Sequence, residues 1–285
     1  MKTSIASAYF WYAKTADEKF ARMKELGYEA VDESLEETEY PYYKSYEAME
    51  NHCKTVRAAA DKHGLEISQV HASYGVWYHK DTREEVIDGI ADVMKMGIYG
   101  ASILGAKNYV IHPITRIGFW NNGYNLEFDD VKSYTIDVMK KLLPACEEYG
   151  VYLCLENLTD YQMPVILEIV EAVDSPYAKI CLDTGHASIS RVDMGDIVRS
   201  CQKYLRCLHV HDTNGYNDLH LPPFMGVINW HSFTDALAEI GYAGTMNLES
   251  EINRGAPMPE EFIKMLEEYS YKSARYLADE VEKKK

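Results

Sequence analysis

Carboxylate and imidazole side chains recur at the ends of short apolar segments in the second half of the chain. The four segments read Cys154-Leu155-Glu156-Asn157, Cys181-Leu182-Asp183-Thr184, Leu208-His209-Val210-His211 and Asn247-Leu248-Glu249-Ser250. A charged group buried in apolar surroundings costs several kcal/mol unless a partner compensates it. A divalent cation is such a partner, because it keeps carboxylates ionised and histidine neutral. We therefore predict a divalent metal site whose candidate ligands include Glu156, Asp183, His209 and Glu249.

Five more residues of the same chemical types could contact a substrate or hold additional ions. They are His71, His112, His186, Asp218 and His220. Three carboxylate ligands and one imidazole favour Mn²⁺ or Mg²⁺, whereas recruitment of the extra histidines would favour Zn²⁺, so more than one ion stays open. For His211 we predict a structural role, with its side chain turned away from His209.

The candidate ligands lie within a regular alternation of short β-prone segments and longer amphipathic segments. Eight segments are predicted as strands: Thr3–Tyr9, Glu29–Glu33, Glu66–His71, Asn108–His112, Tyr152–Glu156, Ile180–Asp183, Cys207–His211 and Thr245–Glu249. Apolar positions at three- and four-residue spacing predict helices at Asp17–Leu26, Lys44–His63, Thr82–Leu104, Asp129–Tyr149, Pro164–Val173, Met194–Leu205, Trp230–Ile240 and Glu260–Leu277. No linker rich in Pro, Gly or Ser interrupts this pattern, which favours a single domain over residues 1–285.

The repetition of strand, helix and glycine predicts parallel strands joined by right-handed crossovers. Glycines expected to be left-handed C-terminal caps close five of the helices: Gly27, Gly64, Gly105, Gly150 and Gly241. Eight such units fit a closed barrel or an open doubly wound sheet, but no G-x-G-x-x-G follows the first strand. We therefore prefer an α/β fold of the (β/α)8 TIM-barrel type, which needs roughly 250 residues. The carboxyl ends of its strands would meet at one face and gather the candidate ligands.

The charge balance restricts the partners of the chain. Lys and Arg number 29 against 45 Asp and Glu, which gives a formal net charge of -16. Such a field repels phosphate polyanions, and the only basic run is the terminal Lys283, Lys284 and Lys285. We expect a small molecule, and not nucleic acid, as the partner.

The cysteines and the N-terminal residues bear on the compartment. None of the six cysteines forms a C-x-x-C pair, which argues against thiolate-bound zinc and against a disulfide framework. The first residues lack the apolar stretch of a secretory signal, and no run approaches the ~20 apolar residues of a membrane span. We expect a cytoplasmic protein without a membrane anchor, and the sequence is compatible with a homo-oligomer.

With its four motifs in this order, the chain resembles the xylose-isomerase-like barrel superfamily. That superfamily contains sugar and sugar-phosphate isomerases, ketose 3-epimerases and endonucleases of the endonuclease IV type. The resemblance implies that the four candidate ligands bind one metal. It also implies that Glu156 and Glu249 exchange a proton at the carbon next to a carbonyl, through an enediolate. A metal-dependent sugar or sugar-phosphate isomerase or epimerase is the main hypothesis.

Three alternatives stay open. The five additional residues match in type the remaining ligands of the endonuclease's trinuclear zinc cluster, which would imply a phosphodiesterase acting on abasic DNA. No arginine lies between Asp212 and Gly226, where the ketose 3-epimerases carry one, so a lyase acting on an oxidised C-glycoside is a second alternative. The third is a barrel that binds sugars without catalysis.

Aromatic residues near the predicted barrel mouth suit the walls of a sugar pocket. The candidates are Tyr9, Trp11, Trp77 and Trp120. The first two stand where the endonucleases are expected to carry a glycine-rich segment. This difference favours a ring-like polar substrate over a phosphodiester backbone.

Overall fold

An eight-stranded parallel sheet forms the centre of the fold. The computed structural model describes residues 1–35, 41–73, 82–114, 128–251 and 258–285. The strands are β1 (Thr3–Ala6), β2 (Ala30–Ser34), β3 (Glu66–His71), β4 (Asn108–Ile111), β5 (Tyr152–Glu156), β6 (Ala178–Asp183), β7 (Leu205–His209) and β8 (Met246–Leu248). Their order is β7-β6-β5-β4-β3-β2-β1-β8, and all paired neighbours are parallel.

Contacts between β7 and β8 complete the ring. A parallel bridge joins Val210 to Leu248. The Val210 N–H donates to the Asn247 carbonyl at 2.9 Å, and the Glu249 N–H donates to the Val210 carbonyl at 3.0 Å. The predicted (β/α)8 barrel is therefore confirmed.

Helices surround the barrel and bury their apolar faces against it. In the described ranges they are α1 (Ala16–Leu26), α2 (Tyr46–His63), α3 (Arg83–Leu104), α4 (Phe128–Tyr149), α5 (Met163–Val173), α6 (Thr184–Ser188), α7 (Met194–Cys201), α8 (Trp230–Glu239) and α9 (Glu260–Lys284). Short 3-10 turns cover Ser7–Tyr9 and Pro41–Lys44. No helix within the described ranges is long and apolar enough to cross a membrane.

Local sequence signals set where the helices begin and end. Thr15 and Thr82 each accept a hydrogen bond from the backbone N–H three residues later, and the carboxylate of the glutamate at that position accepts one from the threonine N–H. These reciprocal bonds satisfy N–H groups that have no partner inside the helix. All five glycines predicted to be C-terminal caps have positive φ, between 64° and 109°. The sequence signals for helix termination are thus confirmed.

Several predicted boundaries are wrong by two to seven residues, and the largest difference is in the last helix, which continues past Leu277 to Lys284. β1 stops at Ala6, because the Phe10 N–H donates to the Ser7 carbonyl at 3.1 Å and closes a turn. The helix before β7 ends at Cys201, because the Tyr204 N–H donates to the Cys201 carbonyl at 2.9 Å. The residues after this turn are then free to pair with β6. The order of the elements is unchanged.

Three buried cysteines form a layer of the barrel interior below the candidate ligands. Cys154, Cys181 and Cys207 each precede a candidate ligand by two residues, so they share its face of the strand. They pack together with Val110. Burial raises the pKa of all three thiols well above the usual value. The floor beneath the candidate ligands is therefore neutral.

An ion pair between α1 and α9 gives a test of stability. Arg22 donates from Nε and Nη2 to Glu267 at 2.8 and 2.6 Å, and Glu267 is 1% exposed. Arg22→Ala would leave this carboxylate buried without its cation, and we expect the free energy of unfolding to fall by about 3 kcal/mol. Urea unfolding measures the difference.

The matched control is Arg199→Ala, which removes a solvent-exposed pair with Glu239 at 2.8 Å. Exposed pairs contribute little because water screens them. Equal losses of stability in the two variants would contradict the prediction.

Candidate metal centre

The carboxyl ends of four adjacent strands bring the predicted ligands together. Glu156 ends β5 and Asp183 ends β6, while His209 ends β7 and Glu249 directly follows β8. One oxygen or nitrogen of each side chain lies within 4.8 Å of those of the other three. All four side chains are buried. We call these four residues the deep group.

The hydrogen bonding of the deep group fits a bound cation. Among the described residues, no hydrogen bond reaches either oxygen of Glu156, either ring nitrogen of His209 or Oε2 of Glu249, although all five atoms are buried. His209 Nδ1 nevertheless lies 3.0 Å from Glu156 Oε2 and 3.4 Å from Glu249 Oε2. Buried polar atoms nearly always have a partner. A divalent cation would supply one to these atoms together.

The surroundings hold the two glutamates in different protonation states. Burial favours a neutral Glu156, but the charges of His209 and His112 outweigh burial and lower its pKa well below the usual value. Burial raises the pKa of Glu249 to about 8, and the charge of Glu156 adds to this effect. Burial would lower the pKa of His209, but Glu156 and Glu249 raise it well above the usual value. Near neutral pH and without an ion, Glu156 is therefore ionised, whereas His209 and Glu249 carry protons.

Two further histidines converge on Glu156 from β3 and the end of β4. Nε2 of His71 and Nε2 of His112 lie 3.4 and 3.5 Å from Glu156 Oε2. His71 Nδ1 lies 2.8 Å from the carbonyl of Ala72, which favours a proton on Nδ1 and leaves Nε2 as the acceptor. The structure thus brings both predicted additional residues to the deep group.

A second cluster lies nearer to solvent, and we call it the rim group: His186, His211, Asp218 and His220. Its ligand atoms also lie within 4.8 Å of one another. Nδ1 of His186 and Nδ1 of His220 lie 2.9 and 2.8 Å from backbone carbonyl oxygens. Their Nε2 atoms lie 3.3 and 3.2 Å from Oδ2 of Asp218. Because the carbonyls orient both rings toward one carboxylate, the rim group is a second candidate ion site.

The expectation that strand alternation turns His211 away from the candidate ligands is wrong. His211 lies two residues past the end of β7, and its ring faces Asp183 of the deep group. His211 Nε2 lies 2.9 Å from Asp183 Oδ2, and its ring stacks on that of His220 with centroids 4.1 Å apart. Gly185 provides the necessary room, since a Cβ there would stand 1.9 Å from His211 Cε1. His211 therefore belongs to the rim group.

Asp212 fixes the loop that carries Asp218 and His220. Its carboxylate accepts hydrogen bonds from two backbone N–H groups of the loop and from the Trp230 indole, at 3.0 to 3.2 Å. His220 adopts a left-handed backbone with φ of 46°. Such strain in a residue other than glycine persists only where the surroundings enforce it, as they do at many functional sites.

The predicted aromatic pocket is only partly within the described residues. The Tyr9 hydroxyl lies 3.2 Å from His220 Nδ1, which places Tyr9 beside the rim group. Trp11 is 56% exposed, and its ring packs edge-on against Tyr12 with centroids 6.0 Å apart. Trp77 and Trp120 lie outside the described residues.

Sequence reasoning missed Asp32, which is buried on β2 beside the deep group. Its Oδ2 lies 3.2 Å from His209 Nε2. A search for polar residues at strand ends overlooks Asp32, because it lies inside its strand. The available signal was an acidic side chain directly after the apolar pair Ala30 and Val31.

Known proteins resemble this chain, and several of them do so over almost its whole length. A family model described as a xylose isomerase-like TIM barrel matches residues 20–278. An uncharacterized protein of Methanocaldococcus jannaschii is 26% identical over 93% of this chain and 88% of its own length. The D-psicose 3-epimerase of Ruminiclostridium cellulolyticum is 23% identical over 90% of this chain and 85% of its own length. A probable endonuclease 4 of Mesomycoplasma hyopneumoniae is 29% identical, but over only 43% of this chain and 46% of its own length.

Two solved structures illustrate the likeness in fold. A D-psicose 3-epimerase crystallised in the presence of D-fructose superimposes with a TM-score of 0.78 and 16% identity, over 99% of both chains. The IOLI protein with a bound zinc atom superimposes with a TM-score of 0.72 and 19% identity, over 99% of both chains.

Metal binding should release protons from the deep group. His209 and Glu249 carry protons near neutral pH, and both must lose them to act as ligands. We expect Mn²⁺ to bind metal-stripped protein more tightly as the pH rises from about 6 to about 8, with roughly one to two protons released near pH 7. Isothermal titration calorimetry in buffers of different ionisation enthalpy measures both quantities.

Two glutamine variants make this measurement specific. Glu249→Gln should reduce the number of protons released, because the replaced side chain has no proton to lose. Glu239→Gln on the exposed surface of α8 should leave the number unchanged. Binding by the wild-type protein without proton release would count against the assigned ligands.

Proposed function

The chain belongs to the family of xylose isomerase-like TIM barrels, and from that premise we propose that it is a metal-dependent sugar isomerase or epimerase. The observation that carries the proposal is the deep group, in which two buried glutamates stand within 4.8 Å of one another together with Asp183 and His209. An epimerase that removes a proton from one face of a carbon and returns one to the other face can use such a pair as its base and acid. A wide separation of the two carboxylates would have removed the basis of the proposal.

The reaction we propose is removal of a proton from a carbon next to a carbonyl and its return. A divalent cation held by the deep group would act as a Lewis acid and stabilise the negative charge that develops on the substrate oxygen, by several kcal/mol. The low pKa of Glu156 keeps its carboxylate ready to accept a proton. Glu249 gives up its own proton when the ion binds, so the proton that it returns to the carbon would be one taken up from substrate or solvent during the reaction.

The substrate class we propose is a small sugar or sugar phosphate. The full-length similarity to a D-psicose 3-epimerase supports a sugar with a carbonyl group. No arginine lies between Asp212 and Gly226, where the ketose 3-epimerases carry one, and this difference argues against a free ketose as the substrate of this protein. Phosphorylated sugars, inositol-like rings and oxidised C-glycosides therefore belong in the test panel, the last as substrates for a lyase. We further propose that residues 1–285 act as one domain, since all eight strands belong to one sheet.

The ligands of the deep group and their neighbours bear on the metal. Three carboxylates and one imidazole favour Mn²⁺ or Mg²⁺ in the deep group. The three imidazoles and one carboxylate of the rim group suit Zn²⁺. We propose a catalytic ion in the deep group, and a second ion in the rim group when zinc is plentiful.

The second candidate function is a zinc phosphodiesterase acting on abasic DNA. The observation in its favour is that His71, His112 and the rim group supply imidazoles next to the carboxylates of the deep group. The net charge of -16 opposes approach of a polyanion, and the endonuclease relative matches less than half of this chain. We therefore rank it below the isomerase.

Exchange of substrate hydrogen with solvent tests the main proposal. We expect the wild-type protein with Mn²⁺ to incorporate deuterium from D₂O into one position of a sugar in the panel, followed by NMR. Glu156→Gln and Glu249→Gln should each slow the exchange by about 100-fold or more, because the amide cannot carry the proton. Glu239→Gln is the control and should exchange at the wild-type rate. Sugar binding without exchange in the wild-type protein would instead identify a binding protein.

Metal counting separates the two enzyme hypotheses. We expect Asp218→Asn to hold fewer zinc ions per chain than the wild-type protein, because it loses the carboxylate shared by the rim histidines, while Mn²⁺-dependent exchange persists through the intact deep group. Elemental analysis and the deuterium assay measure the two properties. Zinc-dependent cleavage of an abasic-site oligonucleotide, abolished by Asp218→Asn, would favour the phosphodiesterase instead.

A further inference from the structure

The two nitrogens of His209 face different partners. Nδ1 points to the deep group, 3.0 Å from Glu156 Oε2 and 3.4 Å from Glu249 Oε2. Nε2 lies 3.2 Å from Oδ2 of Asp32. A neutral imidazole has one N–H donor and one lone pair, so only one of its nitrogens can act as a ligand at a time. Which nitrogen does so depends on where the proton is held.

Asp32 is itself fixed by a buried network that spans four strands. Its Oδ2 accepts hydrogen bonds from Gln69 Nε2 at 3.0 Å and from Asn247 Nδ2 at 2.8 Å. Asn247 Oδ1 in turn accepts a hydrogen bond from Ser4 Oγ at 2.7 Å. All four side chains are buried. The carboxylate therefore has a defined position on β2 and cannot turn to solvent.

Unused hydrogen-bonding capacity remains on the histidine side of the Asp32–His209 contact. Within the described part of the chain, Nε2 of His209 makes no hydrogen bond although it is buried, and the polar atom it faces is Oδ2 of Asp32 at 3.2 Å. A buried donor without a partner is costly. The cost is removed when Nε2 keeps a proton and shares it with Asp32 Oδ2.

We propose that Asp32 is a positioning residue for the ion: it accepts the Nε2 proton of His209 and thereby presents Nδ1 as the ligand atom. This inference rests on the proposed function, because it requires an ion in the deep group. Carboxylates behind a ligating histidine fix its tautomer and raise its basicity, and their loss typically weakens metal binding roughly 10- to 100-fold. Asp32 also adds a negative charge close to the cation.

The test compares Asp32→Asn, which keeps the size of the side chain and removes its charge, with Ser4→Ala. Ser4→Ala removes the outermost hydrogen bond of the same buried network without touching His209. We expect the dissociation constant for Mn²⁺, measured by titration calorimetry on metal-stripped protein, to rise roughly 10- to 100-fold in Asp32→Asn and to stay unchanged in Ser4→Ala. If Asp32→Asn does not fold, Asp32→Ser, which leaves space for water, takes its place.

A spectroscopic readout separates positioning from a general structural effect. In zinc-loaded protein labelled with ¹⁵N-histidine, the signals of His209 are those absent from His209→Gln. In the wild-type protein we expect Nδ1 to be the ligated nitrogen and Nε2 to carry a strongly deshielded proton. In Asp32→Asn that proton should lose its deshielding or exchange rapidly with solvent. Ser4→Ala should give the wild-type spectrum.

The outcomes distinguish this inference from the proposed function. If zinc does not change the ¹⁵N signals of His209 in the wild-type protein, the assigned metal centre is wrong, and the proposed role of Asp32 is overturned as well. If His209 responds to zinc but Asp32→Asn changes neither the affinity nor the Nε2 proton, the metal centre stands and only the role of Asp32 is overturned.

Discussion

The burial of four ionisable side chains in one small volume is the constraint on which the rest of the site depends. Glu156, Asp183, His209 and Glu249 lie within 4.8 Å of one another in surroundings that water barely reaches. Like charges at such distances repel strongly at low dielectric constant, so the protein alone resolves the conflict by keeping a proton on one glutamate. A divalent cation would remove the repulsion between the carboxylates without that proton. The carboxylates and imidazoles around the site are close enough together to share such an ion.

The barrel brings the candidate ligands to one place, and hydrogen bonds from their neighbours orient the histidine rings. Short parallel strands end at the same level, which brings residues far apart in sequence to one mouth. In His71, His186 and His220, Nδ1 lies within hydrogen-bond distance of a backbone carbonyl oxygen. The other nitrogen of each ring, Nε2, therefore faces a carboxylate. The layer of neutral thiols below contributes no competing charge.

The sequence predicts the fold and the deep group well, because both depend on local patterns that repeat. Alternating strands and helices, with glycines after the helices, define the barrel, and strand ends identify the four deep residues. The orientation of His211 was predicted wrongly, because residues two apart on a strand share a face. Asp32 was missed because its position relative to His209 depends on the pairing of distant strands and on the closure of the ring. The Asp212 contacts with the loop of Asp218 likewise arise only when the chain folds back on itself.

The absence of a side chain at Gly185 determines whether the rim group can form. The rim group requires His211 to occupy space that any larger residue at position 185 would claim, since a single methyl group would overlap the imidazole. Displacing His211 would also break its contact with Asp183 of the deep group, where Nε2 lies 2.9 Å from Oδ2. One nucleotide change in a glycine codon is enough to produce alanine, so the rim group stands one mutation away from losing the space that His211 occupies.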